Sequence, residues 1–336
     1  MHKRVLAVTA AAVLAFGLAG CSGGGGESGG DGGGQSRVFR VAFNQNAEHP
    51  QAQAILSLSD KLEEATDGRY SLELFPDGTL GAQEATIEQV QSGTIDFALV
   101  AGSLLESFSS DFSVVNLPYL YESPEQQMDV LNDDEIVGEL YDTLTDDSIE
   151  VLAAFHGGVR NVYSSKPIET PDDLAGMKIR VIGSDTNVRM MELMGGVGTP
   201  MAQDEVYTAI QSGVLDGAEN NELIYSSLSH DEIAPVYSST QHLMMPDYLI
   251  TSPSVWEGID EADREIFEDL LAEAVDEELA AFSDAVDGAK SEAEDAGATF
   301  VEADFDAFRE AVLPLHKEKV TTPLTQSVYD AIIAAG

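Results

Sequence analysis

The chain says nearly the same thing twice: QSGTIDFALV at Gln91–Val100 and QSGVLDGAEN at Gln211–Asn220. In each copy a helical stretch runs into Ser-Gly, and a strand-like run carrying an Asp follows. Glycine enters left-handed backbone without a Cβ penalty, so it ends a helix and turns the chain into the next element. A helix–Gly–strand unit at two separated places predicts two similarly wound α/β lobes. Chance recurrence of a common turn is the competing account, and it predicts no equivalence in the surroundings.

The surroundings do repeat. RVFRVAFN (Arg37–Asn44) reads as a buried strand, and Pro50 opens a helix through about Thr66, with Ile55, Leu58 and Leu62 on one face and Gly68 as the stop. Tyr70–Phe75 alternates like a strand, Gln83–Ser92 reads as a helix, and Ile95–Val100 as the next strand. In the second half Glu150–Phe155, Met177–Ile182 and Val214–Glu219 are strand-like, with helices at Asn187–Met194 and Glu205–Ser212. From Gly258 to Ala296, Phe267, Leu271, Val275, Leu279, Phe282 and Val286 recur at helical spacing. A helix of ~40 residues is ~60 Å long, enough to lie across both lobes. A strand at Ala298–Glu302 and two helical stretches complete the pattern.

The amino end has a different character. Lys3 and Arg4 precede an apolar run from Val5 to Ala19, which reads as a secretory signal and is short for a membrane span. The run ends in Leu18-Ala19-Gly20-Cys21, and Cys21 is the only cysteine of the chain. That excludes an internal disulfide and makes Cys21 a candidate for lipid attachment at a lipobox-like site. Ser22–Ser36, almost all glycine and serine, reads as a flexible tether. A net charge of −44 argues against nucleic acid as a partner, since that requires clustered cations.

Catalytic groupings are missing from the sequence. Outside the glycine-rich stretch 20–36, whose spacing matches follow from composition alone, there is no HExxH, GxSxG, GxGxxG or GxxxxGK[ST], and the acidic clusters lack metal-ligand spacing, so neither a catalytic residue, a metal nor a cofactor is expected. Arginine is more informative because only nine occur. Arg160 stands in HGGVRN, in an expected loop after a strand, and Arg180 lies inside the apolar run MKIRVI. An arginine in such a strand needs an acidic partner or a ligand anion, because an unpaired buried guanidinium is costly. Spacing alone leaves both open.

The stretch GVRNVYSSKPIETPDDLAGMKIRV, followed by TPMAQDEVYTAIQSGVLDGAEN, resembles the solute-binding proteins of TRAP (tripartite ATP-independent periplasmic) transporters, the dicarboxylate-binding or DctP family. FPDGTLGAQEATIEQVQSGTIDFALV and NLPYLY extend the resemblance into the first half. It implies a two-lobed, periplasmic-binding-protein-like (type II-like) α/β fold with the long helix spanning both lobes. Lobe 1 would comprise 37–157 with 246–285, and lobe 2 would comprise 158–245 with 286–336. It implies no enzyme, but a lipid-anchored extracytoplasmic protein that carries a small carboxylate-bearing solute to membrane permease subunits. Arg180 would hold the carboxylate, with Arg160 and Asn220 beside it. Asn44 and His49 would form the first-lobe wall, and His242 and Asp247 would lie where the chain crosses between lobes. Gln203 and Ala101-Gly102 depart from the pattern of sialate binders, and polar Gln203 suits hydroxyls, which favours a uronate or aldonate over a C4-dicarboxylate. Two residues also have structural readings: Asn220 as a strand-end cap and His49 as a helix start. A binding protein for an ABC-type importer and an exported enzyme on the same scaffold are the alternative functions.

Overall fold

The computed structural model describes residues 36–336. The signal-like run, Cys21 and the tether up to Gln35 lie outside the described residues. Nine strands form one sheet: β1 (Arg37–Ala42), β2 (Tyr70–Phe75), β3 (Phe97–Ala101), β4 (Glu150–Ser164), β5 (Lys178–Val181), β6 (Val197–Pro200), β7 (Gly217–Asn220), β8 (Val236–Thr251) and β9 (Thr299–Glu302).

The order β2-β1-β3-β8-β4-β7-β5-β6 contains a near-twofold symmetry. β1 is flanked by β2 and β3, all parallel, and β5 by β6 and β7, all parallel. β8 pairs antiparallel with β3 and β4 antiparallel with β7, and the two long strands pair with each other. Each lobe is thus a three-stranded parallel unit closed by one end of a long strand.

The repeated phrase sits at matching places in this frame. Gly93 (φ 68°) and Gly213 (φ 73°) end their helices in left-handed backbone. Thr94 N bonds to the Gln89 carbonyl at 2.8 Å, and Val214 N to the Ala209 carbonyl at 2.9 Å. The aspartates match too. Asp96 Oδ2 accepts from Arg40 N of β1 at 2.9 Å, and Asp216 Oδ2 accepts from Lys178 N of β5 at 2.8 Å. Equivalent bonds at equivalent strands are what two similarly wound lobes require, and chance recurrence does not provide them.

The long helix, Glu261–Ala296, packs on the first-lobe helix Pro50–Ala65 and on the second-lobe helix Glu222–Ser227, so it spans both lobes. Phe267, Leu271, Val275 and Phe282 are buried along it as the spacing predicts, while Leu279 and Val286 stay half-buried.

Three expectations change. β1 alternates, with Phe39 and Val41 buried and Val38 exposed, because only one of its faces meets the core. β4 does not stop at Phe155 but continues to Ser164, which puts Arg160 inside a strand instead of in a loop. Gly157 and Gly158 form a bulge there, with a register shift between His156 and Val159 against β8. A Cβ on Gly157 would lie 2.5 Å from the Met245 carbonyl, so the close crossing requires glycine. Lastly, the C-terminal helix Pro323–Ala335 packs against the first-lobe helices Pro124–Leu131 and Asp134–Asp142, although 286–336 is expected in lobe 2. Gln126 Nε2 donates to the Ile332 carbonyl at 2.8 Å across that contact.

Two glycine variants separate strain from crowding. Gly213→Ala meets nothing within 4 Å, so it is expected to cost only the left-handed penalty of about 1 kcal/mol. Gly217→Ala would set a Cβ 2.3 Å from the Tyr163 carbonyl and is expected to cost more. Urea unfolding curves of the two variants check the order.

Candidate functional site

In open parallel sheets the carboxyl ends of strands face the ligand crevice. Here β1, β3, β5 and β7 end on one cleft between the lobes, and the polar residues that follow them line it. The main cavity, about 360 Å³, has Asn44, Asp77 and Glu84 on the first-lobe side and Arg180, Gln203 and Tyr207 on the second. A small inner hollow adjoins it, lined by His49, Gln83, Arg160, Asn220 and Asp247 together with Asn44 and Gln203, which line both spaces. Seven of the eight expected ligand residues therefore line these two neighbouring spaces.

The two buried arginines are in opposite states. Arg160, on β4, donates from Nε to Glu219 Oε2 and from Nη2 to Glu219 Oε1 at 2.8 Å, a bidentate fork, and from Nη1 to Asn220 Oδ1 at 2.9 Å. Burial alone would raise the Glu219 carboxyl, but Arg160 and His242 outweigh it and hold it well below the usual carboxylate range. Arg180, on β5, is only 4% exposed, yet it forms no salt bridge among the described residues. Its one side-chain hydrogen bond among the described residues runs from Nε to the Met201 carbonyl at 2.8 Å, and burial pulls its pKa below the ordinary arginine value. A desolvated guanidinium whose remaining N–H groups lack partners is a binding site for an oxyanion.

The remaining expected residues fall into distinct roles. Asn220 Oδ1 is occupied by Arg160 and by Asn221 N, which leaves Nδ2 as a donor toward the hollow. Gln203 bridges the lobes: its Nε2 donates to Gln45 Oε1 at 2.9 Å, and its Oε1 accepts from Gln45 Nε2 at 3.2 Å. His49 both starts a helix and lines the hollow. Its Nδ1 caps Gln51 N at 3.3 Å, and burial lowers the imidazole pKa to about 4.

His242 does not line either space. It is fully buried behind Glu219, with Nε2 3.4 Å from Glu219 Oε2 and Nδ1 2.8 Å from Thr240 Oγ1, so it steadies the ion pair. Asp247 accepts from Gln51 Nε2 at 2.9 Å, and burial raises its pKa from 3.8 to about 6. Sequence reasoning missed Gln45, Asp77, Gln83, Glu84 and Tyr207. The position of Gln83, just past a turn and level with the end of β3, is the one signal that could have found it; its Oε1 accepts from Ala101 N at 2.6 Å.

Residues 41–322 match the DctP family model, bacterial extracellular solute-binding protein, family 7. The chain belongs to this family. Its members are substrate-binding proteins of TRAP transporters and not enzymes. A solute-binding protein of Chromohalobacter salexigens is 35% identical over 274 residues, 81% of each chain. A solved TRAP solute-binding protein from Anaerococcus prevotii, with bound D-glucuronate, is 35% identical at a TM-score of 0.86, covering 90% of this chain and 98% of that one. Another from Xanthobacter autotrophicus, with bound β-D-galacturonate, is 33% identical at a TM-score of 0.84, covering 89% and 100%. Among the described residues of this DctP-family chain, no helix is long and apolar enough to cross a membrane.

The raised pKa of Asp247 gives a signed pH dependence. The fold binds this proton more tightly than the unfolded chain does, so the contribution is favourable below about pH 4 and is lost as pH rises through about 6. Asp247→Asn keeps an oxygen for Gln51 but cannot ionise. Its stability relative to the parent is therefore expected to rise between pH 4 and pH 6 and level off above, which thermal unfolding across that range reads directly.

Proposed function

We propose that this DctP-family chain is the binding lipoprotein of a TRAP transporter, which captures a hexuronate such as glucuronate or galacturonate in the cleft and hands it to the membrane permease. The observation that carries the reading is Arg180, a buried cation without a counter-ion on the wall of a cavity of about 360 Å³. That volume falls in the lower part of the range of about 300–1,000 Å³ usual for small-molecule sites. The carboxylate would take the free edge of the Arg180 guanidinium, and the sugar hydroxyls would meet Asn44, Gln203, Asn220 and Asp247.

Charge supports a sugar acid over a C4-dicarboxylate. Arg160 would serve a second carboxylate only if Glu219 released it. Asp77 and Glu84 on the cavity wall and Asp247 in the adjoining hollow would repel that second charge while accepting hydrogen bonds from hydroxyls. The uronates bound in the two solved relatives agree with this preference. The lobes are proposed as 37–157 with 246–285 and 158–245 with 286–322, the last helix, Pro323–Ala335, belonging to lobe 1. Closure about the β4–β8 crossing would exclude water and strengthen the Arg180 contact. Cys21, at its lipobox-like site, would carry the membrane anchor.

Thermal shift tests the ligand class, because a ligand bound only by the folded state raises Tm. Glucuronate or galacturonate is expected to raise it and succinate or malate to leave it unchanged; the reverse pattern would sink the uronate reading. Arg180→Ala is expected to weaken uronate binding by about a hundredfold or more, since a charge-assisted fork is lost. Its Tm without ligand should not fall, because a costly buried charge is removed. Cys21→Ser is expected to move the protein from the membrane fraction to the soluble fraction of its host, and identical partitioning of both forms would refute the anchor.

A further inference from the structure

A second cavity, about 450 Å³, lies on the opposite side of the β4–β8 crossing from the ligand cleft. Strand alternation produces the pairing: Gly157 and Arg160 face the cleft hollow, while His156, Val159 and Asn161 face the rear cavity. Its outer wall is the long helix, through Leu279, Phe282, Ser283 and Val286.

The chemistry of His156 is fixed by its neighbours. Gln127 Nε2 donates to the Met244 carbonyl at 3.0 Å, so Gln127 Oε1 is the atom facing His156 Nδ1 at 2.8 Å, and Nδ1 must carry the proton. The other nitrogen, Nε2, is therefore a lone-pair acceptor, and it has no hydrogen-bond partner among the described residues. His156 is only 3% exposed, and burial lowers its pKa to about 4, which keeps the ring neutral. The Phe282 ring stands edge-on to the imidazole, with centroids 4.8 Å apart. Asn161, also buried there, is fully engaged through Tyr237 Oη, the Val159 carbonyl and Gln241 N.

Two carboxylates complete the lining, exposed Glu125 and half-buried Glu222. Lys290, a cation that acts on Glu222, forms no salt bridge with it and sits over the Phe300 ring at 5.2 Å to the centroid. An occupant must therefore donate to a neutral imidazole, tolerate or carry positive charge beside carboxylates, and cover an apolar wall. A cation with an apolar portion meets all three demands, and its charge gains from the two carboxylates.

We propose that this rear cavity is a second binding site, which takes primary ammonium ions bearing a short apolar arm: the ammonium donates to His156 Nε2 and the arm lies on Phe282.

Calorimetric titration with phenylethylammonium chloride at constant ionic strength is expected to show saturable binding of one molecule per chain. Methylammonium, equal in charge but without the arm, is expected to bind about tenfold more weakly, the scale of one lost apolar contact. Ser283→Trp fills the cavity from an exposed helix position, and Glu222→Gln removes one carboxylate at constant shape; each should weaken phenylethylammonium severalfold with Tm preserved. No saturable binding, equal binding of methylammonium, or unchanged affinity in both folded variants would overturn the proposal.

Discussion

The buried pair between Arg160 and Glu219 is the interaction on which the cleft depends. It joins β4, which crosses between lobes, to β7, which belongs to the second lobe alone, and it fixes the adjacent Asn220 by occupying its oxygen. Ion pairs of this kind contribute little net stability when intact but cost about 3–5 kcal/mol when one partner is removed. Their value here is selective. By consuming one guanidinium, Glu219 leaves Arg180 as the one cleft arginine, among the described residues, without a salt bridge, which suits the proposed site to one negative charge.

That match is sharper for the charge of the rest of the molecule. A chain carrying −44 repels anions in general, and Asp77 and Glu84 bring the same sign to the cavity wall. In the proposed complex an acid would be held where desolvation makes the Arg180 field strong, and the same carboxylates would accept from hydroxyls once the acid group is seated.

Much of this was legible in the sequence, and the exceptions have physical causes. The twin helix–Gly–strand phrases gave away the two parallel units because Gly93 and Gly213 do the same backbone work, and Asp96 and Asp216 cap the same relative strand. Arg180 was legible because a cation inside an apolar strand has few explanations. β8 was not, since Ser238 to Gln241 interrupts its apolar run and Pro246 argues against a central strand; Pro246 is tolerated beside the Gly157–Gly158 bulge, where the ladder is already broken. The same two glycines hid the continuation of β4 and misplaced Arg160. Gln45, Asp77, Gln83 and Glu84 look like ordinary loop and helix-start residues, and only the gathering of strand ends makes them a wall.

The long antiparallel strands have a consequence for how the molecule forms. Phe97 of β3 pairs with Thr251 of β8, and Val236 of β8 pairs with Thr299 of β9, so neither lobe is made from one continuous stretch of chain. The first lobe lacks its closing strand until the chain has been delivered past residue 251, and contacts so distant in sequence form slowly. The sheet order that joins the lobes therefore also sets when each can fold: the first lobe, begun at β1, must wait for the end of β8.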